Sequence, residues 1–160
     1  MLKISKIPTL DSYRDLLEKS EYELKKYEES AVVYDMANCI LSLNALPEWI
    51  VKSDSASEKL KGVAKEKITI MKDEKYSKDI EKLKIYEIDY LLRFVRTFSN
   101  HSKHLDKKQN LVRIRMSASF PLSFPIKFTN ITIGNDENDF IDSIEVLKVV
   151  ISFWKEHINS

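Results

Sequence analysis

Apolar residues recur at helical spacing through the first third of the chain. Thr9 or Asp11 is placed to cap a helix that begins near Leu10, because a short polar side chain accepts the free amides of a first turn. Leu10, Tyr13, Leu16, Leu17, Leu24 and Tyr27 then form one apolar stripe. Val32, Val33, Met36, Ala37, Ile40, Leu43, Leu46, Ile50 and Val51 form a broader one, the pattern of a buried helix. Helix is predicted to about Ser53, and the polar knot Glu28-Glu29-Ser30 either divides it or lies within one continuous run. Pro47 falls inside the second stripe, where its ring kinks a helix or marks the first turn of its last segment. Ser53 to Ser57 is a loop by composition and can cap a helix starting at Glu58.

The signal weakens from Glu58 to Asp73, where Leu60, Val63, Ala64, Ile68, Ile70 and Met71 allow a modest helix or a partly mobile stretch. Between Lys75 and His104 the helical period returns through Ile80, Leu83, Ile85, Ile88, Leu91, Leu92, Val95 and Phe98, predicting one long helix. After Asn110 the pattern changes to alternation: Val112, Ile114, Met116 and Ala118 fall on one side, with Arg113, Arg115 and Ser117 between them. Two prolines, then Ile126, Phe128, Ile131 and Ile133, continue it to Gly134. An acidic turn leads into a last apolar-rich helix. The elements predict a mostly α fold of the α+β kind, a bundle of about four helices with a small antiparallel β-hairpin or meander before the C-terminal helix. The chain reads as a single helical domain, 1–160, with the β element at about 111–133 and the last helix at about 139–158. The second and third helical regions are expected to pack antiparallel, bringing Trp49 toward the Arg96–His104 segment.

Composition narrows the functional classes. With 43% apolar and 32% charged residues the chain is neither disordered nor membrane-spanning in character. The 26 Lys and Arg nearly balance 25 Asp and Glu, so no global charge points to an anionic partner. Two distant glycines exclude a Gly-rich phosphate loop, and the single Cys39 excludes an intrachain disulfide. Met1 to Leu10 lacks the apolar core of a signal peptide. A soluble cytoplasmic protein is the expectation, with no membrane partner.

Charge is nonetheless segregated. From Arg93 to Arg115 seven Lys or Arg (Arg93, Arg96, Lys103, Lys107, Lys108, Arg113, Arg115) face one acid, Asp106. Two of the three histidines, His101 and His104, lie in the same segment. On a helix Arg96, Asn100, Lys103 and His104 share a face, while His101 stands beside the row of Thr97. A cationic patch attracts phosphate, and an arginine beside a histidine can perform acid/base work on a phosphodiester. The same cations also suit a helix C-terminus and the wet face of a strand, so a structural role is the competing reading. His101 and His104 are spaced to touch one metal, but no carboxylate matches them on that face; neither a metal nor a cofactor is expected. Cys39 sits in the apolar stripe as a packed, inert thiol, Trp49 reads as a core or helix-corner anchor, and His157 as solvated.

Arg96-x4-His101 resembles the short Arg-x(4–6)-His signature of HEPN domains, helical bundles that include metal-independent endoribonucleases. The resemblance implies that Arg96 binds and polarises phosphate, that His101 is the general acid or base at the ribose 2′-hydroxyl, and that two protomers join their motifs into one site. Position 97 is Thr, where that family often carries Asn, Asp or His after the Arg, and position 103 is Lys, where a toxin subgroup regulated by nucleotidyltransferase partners carries Tyr. A second resemblance covers more of the chain. Pro47-Glu48-Trp49, Arg96-x3-Asn100-x2-Lys103-His104 and a late Phe153-Trp154 are similar to a group of uncharacterised bacterial and phage-associated helical proteins with PxW and RxxxNxxKH elements. In that frame His104 is the histidine that matters, joined by Asn100 and Lys103. Two functions stand as expectations. One is an RNA-binding or RNA-cleaving domain in phage defence, with Arg96, His101 and His104 catalytic, Asn100, Lys103, Arg93, Lys107 and Lys108 binding, RNA as partner and a homodimer as the working form. The other is a non-catalytic interaction or dimerisation module in which the same polar row is structural.

Overall fold

The computed structural model describes residues 8–72, 87–103, 113–117, 130–134 and 140–160 of the chain. Among the described residues five α-helices form a bundle: α1 Tyr13–Ser30, α2 Val33–Lys52, α3 Glu58–Lys72, α4 Ile88–Lys103 and α5 Ser143–Ile158. Three short strands among the described residues, β1 Arg113–Ser117, β2 Asn130–Gly134 and β3 Phe140–Asp142, pair antiparallel in that order, with Met116 opposite Ile131 and Ile133 opposite Ile141. The hairpin or meander expected over 111–133 lies mostly outside the described residues. Among the described residues no helix is long and apolar enough to cross a membrane.

Helix ends differ from the expected ones for local reasons. The N-cap of α1 is Ser12, not Thr9 or Asp11: its hydroxyl accepts from the Asp15 amide at 3.2 Å while the Asp15 carboxylate accepts from the Ser12 amide at 3.2 Å. Thr9 and Asp11 contribute from outside the helix, as the Thr9 hydroxyl and the Asp11 amide each donate to Asp15 Oδ2 at 2.9 Å. α1 stops at Ser30, so the polar knot does divide the first run. Ala31 takes the left-handed conformation at φ 53° and its amide donates to the Tyr27 carbonyl at 2.8 Å. The chain then reverses in two residues. α2 runs through Pro47 to Lys52. α3 is an ordered helix, started by the Ser57 hydroxyl accepting from the Leu60 amide at 3.1 Å. α4 begins at Ile88, with Glu87 outside the helix, so no continuous helix extends from Lys75 to His104. The apolar period alone does not register such a break. α5 begins at Ser143 and not near 139, because Phe140 to Asp142 pairs with β2 and the Asp142 side chain caps the helix, accepting from the Ile144 amide at 2.8 Å.

α2 occupies the middle. It contacts α1, α3, α4 and α5, and Met36, Cys39, Ile40, Leu43, Leu46 and Ile50 are wholly inaccessible. Burial of each large aliphatic side chain there contributes roughly 1.5–3 kcal/mol. Polar links fasten the layers. Lys19 ion-pairs with Glu23, and the Ser42 hydroxyl donates to Glu23 Oε2 at 2.7 Å while accepting from Lys19 Nζ at 2.8 Å, joining α1 to α2. The Tyr27 and Ser143 hydroxyls meet at 2.6 Å between α1 and α5. Lys67 of α3 pairs with Asp89 of α4 at 2.9 Å, and its ammonium lies 5.7 Å from the centroid of the Phe153 ring of α5.

The Asp11 amide, then the Thr9 hydroxyl, hold the Asp15 carboxyl below the usual carboxylate range. A carboxylate lowered in the native state stabilises fully above its unfolded pKa of about 3.9, and that contribution is lost as pH falls through the lower native value. Ser12→Ala is expected to cost about 1 kcal/mol in urea unfolding at neutral pH. Asp15→Asn is expected to be less stable than the parent at neutral pH, with the gap closing as pH is lowered below about 4.

Candidate functional site

The packing of α4 sorts the residues that spacing singles out. Leu91, Leu92, Phe94, Val95 and Phe98 are buried. Arg93, Arg96 and Asn100 are half-buried on the flanks of that stripe, so their row is not a free helix back. Arg93 Nη1 donates to the Ile70 carbonyl at 2.9 Å. Ile70 lies in the last turn of α3, where carbonyls have no partner within the helix. Arg93 therefore supplies a missing donor and a cation at the negative end of the helix dipole.

Arg96 reaches the place where α2, α3 and α4 meet. With Asn44, Pro47 and Glu48 of α2 and Ile68, Met71 and Lys72 of α3 it lines a cavity of about 10 Å³, room for one water at most. Asn44 Oδ1, buried there, has no hydrogen-bond partner among the described residues. Lys72 Nζ donates to Glu48 Oε1 at 3.0 Å. That bond, followed by the charges of Lys72, Lys52 and Arg96, holds the Glu48 carboxyl below the usual carboxylate range. Glu48 is thus ionised at neutral pH and only accepts. The two partners are 43% and 49% exposed, which limits the pair to about 1 kcal/mol of stability or less. Its importance is positional: cations from three helices gather around one carboxylate.

The structure therefore brings Pro47-Glu48 to Arg96, two elements far apart in sequence. On the other face of Glu48 lies an open cleft of about 310 Å³ that Trp49 and Lys52 also line. His101 and Lys103 follow Arg96 and Asn100 into the last turn of α4. His104, Lys107 and Lys108 lie outside the described residues, and Arg113 and Arg115 lie on β1. Sequence reasoning missed Lys52 and Lys72, which act with Arg96 on Glu48 because of how three helices pack. Glu48 stood within the Pro-Glu-Trp element, and that was its only signal.

Two other expectations meet their geometry here. Cys39 is buried, its thiol donating to the Ser20 carbonyl at 3.4 Å, and burial, then the Glu23 charge, pushes it up to about 12. It is no nucleophile at neutral pH. His157 is half-buried rather than fully solvated: its ring packs on Phe153 with centroids 4.3 Å apart, and Nδ1 lies 2.8 Å from the Phe153 carbonyl.

The chain matches no family model, no curated protein and no solved structure. Chemistry and geometry alone bear on its function.

Arg93→Ala is expected to lower unfolding free energy by about 1.5–3 kcal/mol, the value of a hydrogen bond from a charged group, measured by urea titration. Lys72→Ala, which breaks an exposed pair, is expected to change it by less than about 1 kcal/mol.

Proposed function

We propose that the chain is a HEPN-like RNA-binding domain, cytoplasmic and active in phage defence, that cleaves RNA without a metal. Arg96 binds and polarises the scissile phosphate. His101 or His104 takes or delivers the proton of the ribose 2′-hydroxyl, with Asn100 and Lys103 holding the strand and two copies joining their α4 ends. The convergence of Lys52, Lys72 and Arg96 around Glu48 carries this reading. It extends the cationic segment of α4 onto two further helices and leaves positive charge in excess at one rim of the bundle. A polyanion gains from such an array by releasing its condensed counterions.

One observation favours a second reading, a non-catalytic interaction or dimerisation module. Arg93 is committed to the Ile70 carbonyl, and Arg96 already faces a carboxylate, so both cations have partners within the bundle.

The test is incubation of the purified protein with single-stranded RNA in excess chelator, beside Arg96→Ala, His101→Ala and His104→Ala. Cleavage by the parent is expected to persist in chelator and to fall about a hundredfold or more in Arg96→Ala and in one histidine variant. Binding is expected to weaken linearly in log–log with salt, and Lys72→Ala to reduce that slope by about 0.7. Absence of cleavage by the parent, or equal cleavage by all four proteins, would sink the catalytic role. Salt-independent binding would sink the interface.

A further inference from the structure

We propose that the open cleft between the start of α1 and the last turns of α2 receives one unpaired nucleobase of a bound RNA strand, stacked on Trp49, while the neighbouring phosphates lie on Lys52, Lys72 and Arg96. The proposal rests on the RNA reading above and adds what part of the RNA is recognised. Ala45, Glu48, Trp49 and Lys52 stand at i, i+3, i+4 and i+7 and so form one face of α2. Tyr13 and Asp11 of the α1 start line the cleft opposite them.

Volume decides where a ligand goes. The cavity under Arg96, about 10 Å³, admits nothing larger than a water. The cleft, about 310 Å³, stands at the lower end of small-molecule sites, which run from roughly 300 to 1,000 Å³. Glu48 lines both, so the roomy site opens directly beside the cation cluster.

Trp49 is suited to this role by its partial burial. The large apolar side chains of α2 one turn before and one residue after it, Leu46 and Ile50, are wholly buried. Trp49 instead packs against the core with part of its indole left open. A ring fixed in that way presents a face at little entropic cost, and the small Ala45 beside it leaves space above. Every base has a π-face, so stacking on such a ring tolerates sequence. The charges agree. Lys52 lines the cleft, and the Arg14 guanidinium lies 5.5 Å from the centroid of the Tyr13 ring. The nearby Asp15 carboxylate already accepts through Oδ2 from the Thr9 hydroxyl and the Asp11 and Ser12 amides. Glu48 and Asp11 remain as acceptors for the N–H edge of a base.

Tryptophan fluorescence of the full chain tests the proposal. Trp49 and Trp154 are its two tryptophans, and Trp154 is wholly buried, so a base in the cleft perturbs Trp49 alone. The probes are a single-stranded adenylate RNA dodecamer and an abasic ribose-phosphate dodecamer of equal charge. The adenylate strand is expected to quench the emission and the abasic strand not to. The abasic strand is expected to bind the parent about tenfold more weakly. Trp49→Ala is expected to bind adenylate about tenfold more weakly and the abasic strand unchanged, while Trp49→Phe keeps most of the affinity and controls for folding. Salt-dependent adenylate binding without quenching, and equal in Trp49→Ala, overturns the cleft and leaves the RNA reading standing. Failure of the parent to bind either strand overturns both.

Discussion

Burial of α2 against four other helices is the constraint on which the rest of the structure depends. Its polar side chains are met in different ways along its length, and Asn44 Oδ1, buried against α3 and α4, has no partner among the described residues. At its midpoint Ser42 is drawn into the Lys19–Glu23 pair, which fastens α1 alongside. Near its end Glu48 and Lys52 reach the rim, where α3 and α4 present Lys72 and Arg96. The inaccessible middle thus sorts charge to one end of the bundle. That sorting, and no separate active-site scaffold, is what creates the candidate interface.

Glu48 has a double effect in that arrangement. Three cations gathered from three helices repel one another, and a carboxylate among them relieves this without cancelling it. Two unit charges at about 4 Å interact by about 1 kcal/mol even in water, so one central anion offsets part of that repulsion. The cluster is then tolerable to the free protein yet remains cationic toward a polyanion. The half-buried setting of Arg96 keeps its guanidinium in one place, while Lys72 at the rim is half exposed.

The helices were legible in sequence wherever burial is one-sided or complete. The stripe from Val32 to Val51 marks α2, and the run from Leu91 to Phe98 marks α4, because the core demands those spacings. Boundaries were less legible. Ala31 and Val32 carry no turn chemistry, and a left-handed alanine costs about 1 kcal/mol or more that only the packed hairpin offsets. α3 gave a weak signal because only Leu60, Ala64 and Met71 of its residues are fully buried. Of the site, Arg96 and Asn100 could be found from spacing along one helix. Lys52 and Lys72 could not, since nothing local distinguishes them from other surface charges, and Glu48 was marked only by the Pro-Glu-Trp element. Their meeting is a product of tertiary packing.

The Tyr27–Ser143 hydroxyl pair has a consequence for chain entropy. The cost of closing a loop grows only with the logarithm of its length. That pair spans 116 residues, whereas Ser42 and Glu23 are 19 apart. The longer closure costs about 1.6 kcal/mol more. α5 is therefore held against α1 nearly as cheaply as α2 is. Doubling the stretch between α4 and α5 would add only about 0.6 kcal/mol, less than one buried methylene contributes. The bundle is a closed frame in which distance along the chain adds little to the cost of bringing α5 back to α1.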